Sequence, residues 1–151
     1  MKPFSTVDEI LIFAVNAEQE AVDFYSRLSN QSMNTEMKQV FNQYAHEEMN
    51  HKARLMKIRE QGIFEIPAEQ ISDLKISDYL VDVYPGPQMT YADALVLAMK
   101  KEKAAFRLYL DLASLAVSNE MKDVFNSLAQ EEARHKLRFE IEYDENILRE
   151  N

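Results

Sequence analysis

The chain has 151 residues, 46% of them hydrophobic, with two Gly and four Pro, which is enough to bury a core as one domain and favours helix throughout. A formal net charge of -9 argues against nucleic acid and anionic membrane surfaces as partners and favours the gathering of cations. With no cysteine, the chain excludes disulfides, Fe–S clusters, thiolate zinc sites and a cysteine nucleophile. The first six residues, Met1 to Thr6, lack a basic segment followed by an apolar one, and no apolar run approaches the ~20 residues of a membrane span. The expectation is a cytoplasmic protein with no membrane partner.

Thr6, with Glu9 three residues on, reads as a capping box, and Leu11, Ala14, Val15, Val22 and Tyr25 then follow helical spacing with Glu18 among them. This predicts a first helix to about Leu28 or Ser29, closed by the polar turn Asn30 to Asn34. Asn34 or Thr35 caps a second helix whose stripe is Met37, Phe41, Tyr44, Glu48, His51 and Leu55, ending near Gly62. Residues 63–89 form a long connection holding Pro67, Pro85 and Pro87 and scattered apolar residues, without strong helix character. Thr90 and Asp93 repeat the capping box, opening a third helix with Leu95, Ala98, Met99, Glu102, Phe106 and Tyr109 that ends near Leu115. Ser118 or Asn119 caps a fourth, with Met121, Phe125, Leu128, Glu132, His135 and Phe139 on its stripe. The acidic tail from Glu140 is expected to fray.

An internal repeat dominates this pattern. An offset of 84 residues pairs Thr6 with Thr90, Glu18 with Glu102, Tyr25 with Tyr109, Phe41 with Phe125, Glu48 with Glu132 and His51 with His135, without a gap. Between Glu36 and Arg54, 12 of 19 positions are identical to their mates. Two helical hairpins, about 6–62 and 90–146, joined by the crossover at about 63–89, therefore predict an all-α, four-helix bundle in which each hairpin covers the other's apolar face.

The polar residues on these stripes fall in one layer. Glu48 and His51, three apart on a helix, share a face, as do Glu132 and His135. Glu18 and Glu48 each lie 15 residues from Met33, the centre of the first turn, and Glu102 and Glu132 lie 15 from Val117. At 1.5 Å per residue all four carboxylates are ~22 Å from a turn, at a common level. Six uncompensated polar groups in an apolar core would consume more than the ~5–15 kcal/mol by which a domain is stable. Two divalent cations neutralise four carboxylates, and oxygen with imidazole nitrogen suits iron or manganese.

This doubled pattern, Glu followed by Glu-x-x-His, resembles the diiron-carboxylate proteins of the ferritin-like superfamily, most closely the diiron domain of rubrerythrins, over about residues 6 to 145. The resemblance implies a ferritin-like bundle holding two iron ions, with manganese or a mixed pair as alternatives. It implies Glu18 and Glu102 as terminal ligands, Glu48 and Glu132 as bridges, and His51 and His135 capping one metal each. It also implies a homodimer and an oxidoreductase that reduces peroxide or dioxygen with electrons from an external donor protein. Iron handling, by ferrous oxidation and binding, is the competing class, and a metal-bearing structural bundle a third. The chain departs from the family at Ala105, where rubrerythrins carry a second glutamate one turn past the ligand, and in lacking any cysteine for a rubredoxin domain.

Other chemical residues read more plainly. His46 lies off the stripe, and its mate is Gln130; Glu47 and Glu131 point about 100° from the ligands and suit the surface, with a role in orienting the histidines as the alternative. Tyr25 and Tyr109 fit core packing, with a hydrogen bond to the site or a redox role as the alternative, and Tyr44, whose mate is Leu128, would make two metals inequivalent if it took a role. The eight methionines suit adaptable core filling.

Overall fold

In the computed structural model, residues 3–32, 34–81, 86 and 89–148 are described. Their order is α1 (Val7–Gln31), α2 (Thr35–Gln61), the single turn α3 (Ala68–Ile71), a 3-10 turn at Ile76–Asp78, α4 (Tyr91–Leu115) and α5 (Asn119–Tyr143). A π-helical turn, Asp144–Leu148, follows α5. The chain divides into two compact units, Pro3–Leu74 and the chain from Lys75 onward, each built on one of the repeated hairpins.

The first unit packs α1 along α2. Thr6 starts α1 by accepting a hydrogen bond from the Glu9 backbone N–H at 3.1 Å. The capping box is only half made, because the Glu9 carboxylate accepts from the Ser5 N–H at 2.9 Å instead of from Thr6. The helix runs to Gln31, a turn's fraction beyond the expected end, with the Ser32 N–H closing onto the Leu28 carbonyl. The expected turn centre Met33 lies outside the described residues. Asn34, not Thr35, caps α2 through Oδ1, and Gly62 ends it at φ 63°, the left-handed conformation in which a side chain would strain the backbone. Inside this hairpin Tyr25 stacks on Phe41, with ring centroids 6.4 Å apart. Phe4, Phe64, Ile66 and Leu74 are also buried, so the start of the connection is packed chain. The Phe4 N–H donates to the Leu74 carbonyl at 3.1 Å and ties the two ends of the unit together.

The second unit repeats the design. Thr90 and Asp93 make a complete capping box on α4, with bonds of 3.0 and 3.4 Å, and Ser118, not Asn119, caps α5. Tyr109 stacks on Phe125 at 6.2 Å, the repeat mates of Tyr25 and Phe41. The connection is more structured than its composition suggested: Tyr79 is buried, and its hydroxyl donates to Asp111 Oδ2 at 2.6 Å, fastening the 3-10 turn to α4. Pro85 and Pro87 of this connection lie outside the described residues. The tail is also corrected. Residues Glu140 to Tyr143 belong to α5, and Glu142 is buried by partners the acidic run does not announce. No helix among the described residues is long and apolar enough to cross a membrane.

Candidate metal centre

Six polar side chains stand on the buried stripes. Glu18, Glu48, His51, Glu102, Glu132 and His135 are each at most 1% exposed, while the residues flanking them on the same stripes are apolar. Helix geometry places them: on α1 Glu18 follows Ala14 by one turn, and on α2 Glu48 and His51 sit between Phe41 and Leu55. The same spacing recurs around Glu102 on α4 and around Glu132 and His135 on α5.

In the first hairpin, His51 Nδ1 lies 3.1 Å from Glu48 Oε1 and 3.5 Å from Glu18 Oε2. In the second, His135 Nδ1 lies 3.5 Å from Glu102 Oε2 and 3.9 Å from Glu132 Oε1. Glu18, Glu48 and His51 each offer one donor atom, all within 4.8 Å of one another, and so do Glu102, Glu132 and His135. Each set is the size of a metal coordination sphere. Burial pushes the His51 imidazole down, but the Glu18 and Glu48 carboxylates that face its Nδ1 outweigh it and hold the pKa at about 11. A proton on His51 thus supplies the positive charge among these carboxylates.

His46 is exposed, and its Nδ1 lies 2.8 Å from the Asn42 carbonyl oxygen of its own helix. Glu47 and Glu131 are half-buried, so they are less exposed than surface positions would be. One feature beside the first cluster was not legible in sequence. Lys52 Nζ donates to Gln19 Oε1 at 2.6 Å, and Gln19 donates on to Asp23 Oδ1 at 2.9 Å, bonding α1 to α2 next to Glu18 and His51. Its advance signal is that Gln19 follows Glu18, and Lys52 follows His51, by one residue.

The model of the rubrerythrin family matches residues 9–143. A crystal structure from Thermotoga maritima, described as that of a ferritin-like diiron-carboxylate protein, superposes with a TM-score of 0.76 at 22% identity, over 96% of this chain and 98% of that one. A hypothetical protein from Pyrococcus furiosus superposes with a TM-score of 0.71 at 27% identity, over 92% of this chain and 89% of that one. No curated protein matches. The fold is therefore the all-α, ferritin-like bundle that the doubled hairpin predicted.

Proposed function

This chain belongs to the rubrerythrin family, and from that premise we propose that its two Glu/Glu/His clusters together hold two iron ions at which peroxide or dioxygen is reduced by electrons from an external donor protein. The observation carrying this reading is the burial of the same three-residue donor set twice, once in each hairpin. The donors fit the ions: four carboxylates offset two divalent charges, and hard oxygen with borderline nitrogen suits iron, or manganese in its place.

In this reading Glu18, Glu48, Glu102 and Glu132 would hold the ions through carboxylate oxygen, and His51 and His135 would each complete one ion through imidazole nitrogen. When bound, the ions supply the electrons and the Lewis acidity for cleaving the O–O bond. The residues of the chain do the rest. Leu11, Ala14, Phe41 and Leu55 in one hairpin, with Leu95, Ala98, Phe125 and Phe139 in the other, keep bulk water from the ligand layer. The carboxylates offset the added charge of the oxidised state, and the His51 imidazole gives up its Nδ1 or Nε2 proton to become a ligand. Ala105 favours a second reading, ferrous oxidation with release of ferric iron, since no carboxylate stands one turn beyond Glu102 to follow a change of oxidation state.

The test loads the protein anaerobically with ferrous iron and mixes it with peroxide or dioxygen while the absorbance of the oxidised centre is followed. Faster oxidation by peroxide, reversed by an added reductant over many cycles, is the expected result. Ferric iron leaving the protein after one cycle would replace it with iron handling, and an unchanged trace in Glu48→Ala and Glu132→Ala would end the dinuclear reading.

A further inference from the structure

The second hairpin buries one more carboxylate, Glu142, at 3% exposure. The Tyr91 hydroxyl donates to Glu142 Oε2 at 2.9 Å, Asn146 Nδ2 donates to Oε1 at 2.8 Å, and Arg138 Nη1 stands 3.9 Å from Oε1. Its position is regular: Glu132, His135, Phe139 and Glu142 follow one another at three, four and three residues, a single stripe on α5. On α4 the same holds for Tyr91, Leu95, Ala98 and Glu102. At 1.5 Å per residue, Glu142 lies ~10 Å past His135 and Tyr91 ~16 Å before Glu102 along the helix axes. Phe139, Leu95 and Ala98, all fully buried, fill the intervening turns.

The first hairpin shows that folding does not require a polar pair there. The repeat mates of Tyr91 and Glu142 are Val7 and Ile58, and an apolar pair of that kind carries no desolvation cost. A buried carboxylate receiving a phenol's hydrogen bond has a specific competence, because a phenol that loses an electron becomes a strong acid and needs a base already in contact. Burial first, and then the bond and charge of Glu142, push the Tyr91 pKa well above its usual range, so the phenol keeps its proton until such an oxidation.

We propose that Tyr91 and Glu142 form a proton-coupled, one-electron donor site serving the metal layer of the second hairpin. Tyr91 loses one electron, and its hydroxyl proton moves along the hydrogen bond to Glu142 Oε2. The products are a neutral phenoxyl radical and a neutral carboxylic acid. The electron reduces by one unit the metal centre that peroxide or dioxygen has oxidised in the absence of external reductant. A later electron from the donor protein returns Tyr91 to the phenolate level, and the proton comes back from Glu142. This inference rests on the metal-binding reading above.

Tyr79 supplies an internal control, since its hydroxyl also donates to a carboxylate, Asp111 Oδ2 at 2.6 Å. Asp111 is nine residues past Glu102, which at 100° per residue sets it on the opposite side of α4. The experiment loads the full chain with ferrous iron, counts the bound metal, adds peroxide without reductant, freezes the sample and records the electron paramagnetic resonance spectrum. A phenoxyl signal is expected in the parent protein and in Tyr79→Phe, and its loss in Tyr91→Phe. Glu142→Gln keeps an acceptor oxygen but cannot take the proton, and its signal is also expected to be lost. Should Tyr91→Phe melt below the working temperature, Glu142→Gln carries the test. Iron bound and oxidised with no phenoxyl signal, or with one that survives either substitution, overturns the proposal and leaves the metal reading standing. A protein that binds no iron overturns the metal reading, and the donor role with it.

Discussion

The two hairpins agree at their middles and differ at their open ends. Each carries the buried Glu/Glu/His set and a Tyr–Phe stack with centroids just over 6 Å apart, at positions related by the repeat. Where the first helix of each hairpin begins and the second ends, the first hairpin joins Asp8 to Arg59 at the surface, with Val7 and Ile58 in the adjoining positions. The second buries Glu142 under Tyr91, Arg138 and Asn146. A duplicated sequence thus retains two copies of a buried Glu/Glu/His set, while the ends, which need only close the hairpin, have taken different chemical solutions.

The largest expected break of this symmetry is in metal binding. Glu48→Ala with Glu132→Ala should abolish it, and stripping metal from the parent with a chelator should lower the melting temperature. A single site at a hundredfold excess over its Kd is worth about 2.7 kcal/mol, roughly 5–10 °C in a chain of this size, measurable by circular dichroism. His51→Ala and His135→Ala should each cost the same share of bound iron; unequal loss would mean that the hairpins are not equivalent ligands.

Next in size is the core. Phe41→Ala and Phe125→Ala, at fully buried positions, should each destabilise by ~3–5 kcal/mol in denaturant titration, with similar values for the two mates. A marked difference would show that one hairpin carries more of the fold.

The pH dependence comes third. With His51 raised from 6.5 to about 11, its protonation stabilises the metal-free protein fully below pH 6.5, and that contribution is lost as pH rises through 11. Metal competes with that proton, so binding should release protons within this window and tighten as pH rises, as calorimetry in buffers of differing ionisation enthalpy would record. Affinity independent of pH would mean that His51 keeps its proton and is no ligand.

The smallest effects concern the ends. Tyr91→Val with Glu142→Ile, which copies the first hairpin's apolar pair, should leave stability unchanged or raise it by ~1–4 kcal/mol, whereas Glu142→Ile alone should gain less, since the Tyr91 hydroxyl is left to find another partner. Asp8→Ala should leave the melting temperature within error, because the pair it breaks is solvent-exposed and screened.

The burial of the six carboxylates and histidines was legible because periodicity and repetition converge on them. A glutamate amid Leu11, Ala14, Val22 and Tyr25 has no place on a solvated face, and its mate at Glu102 rules out coincidence. Glu142 was illegible for the opposite reason. It stands among Glu140, Asp144 and Glu145, like any charged tail, and its donor Tyr91 is 51 residues away. Only extending the α5 stripe one step past Phe139 would have exposed it. The Tyr79–Asp111 bond was hidden likewise, since proline-interrupted chain has no period from which to infer a register. Helix starts were read to within a residue from Thr6, Asn34, Thr90 and Ser118, but the Glu9 carboxylate chose the Ser5 N–H over that of Thr6, a choice local spacing does not encode.

The central claim, that the two equivalent buried donor sets hold two metal ions, is tested most directly by counting metal. Iron-loaded protein, desalted anaerobically, should carry two ions per chain, falling below one in Glu48→Ala. Fewer than about one ion per chain in the parent, or an undiminished count in that variant, would contradict it.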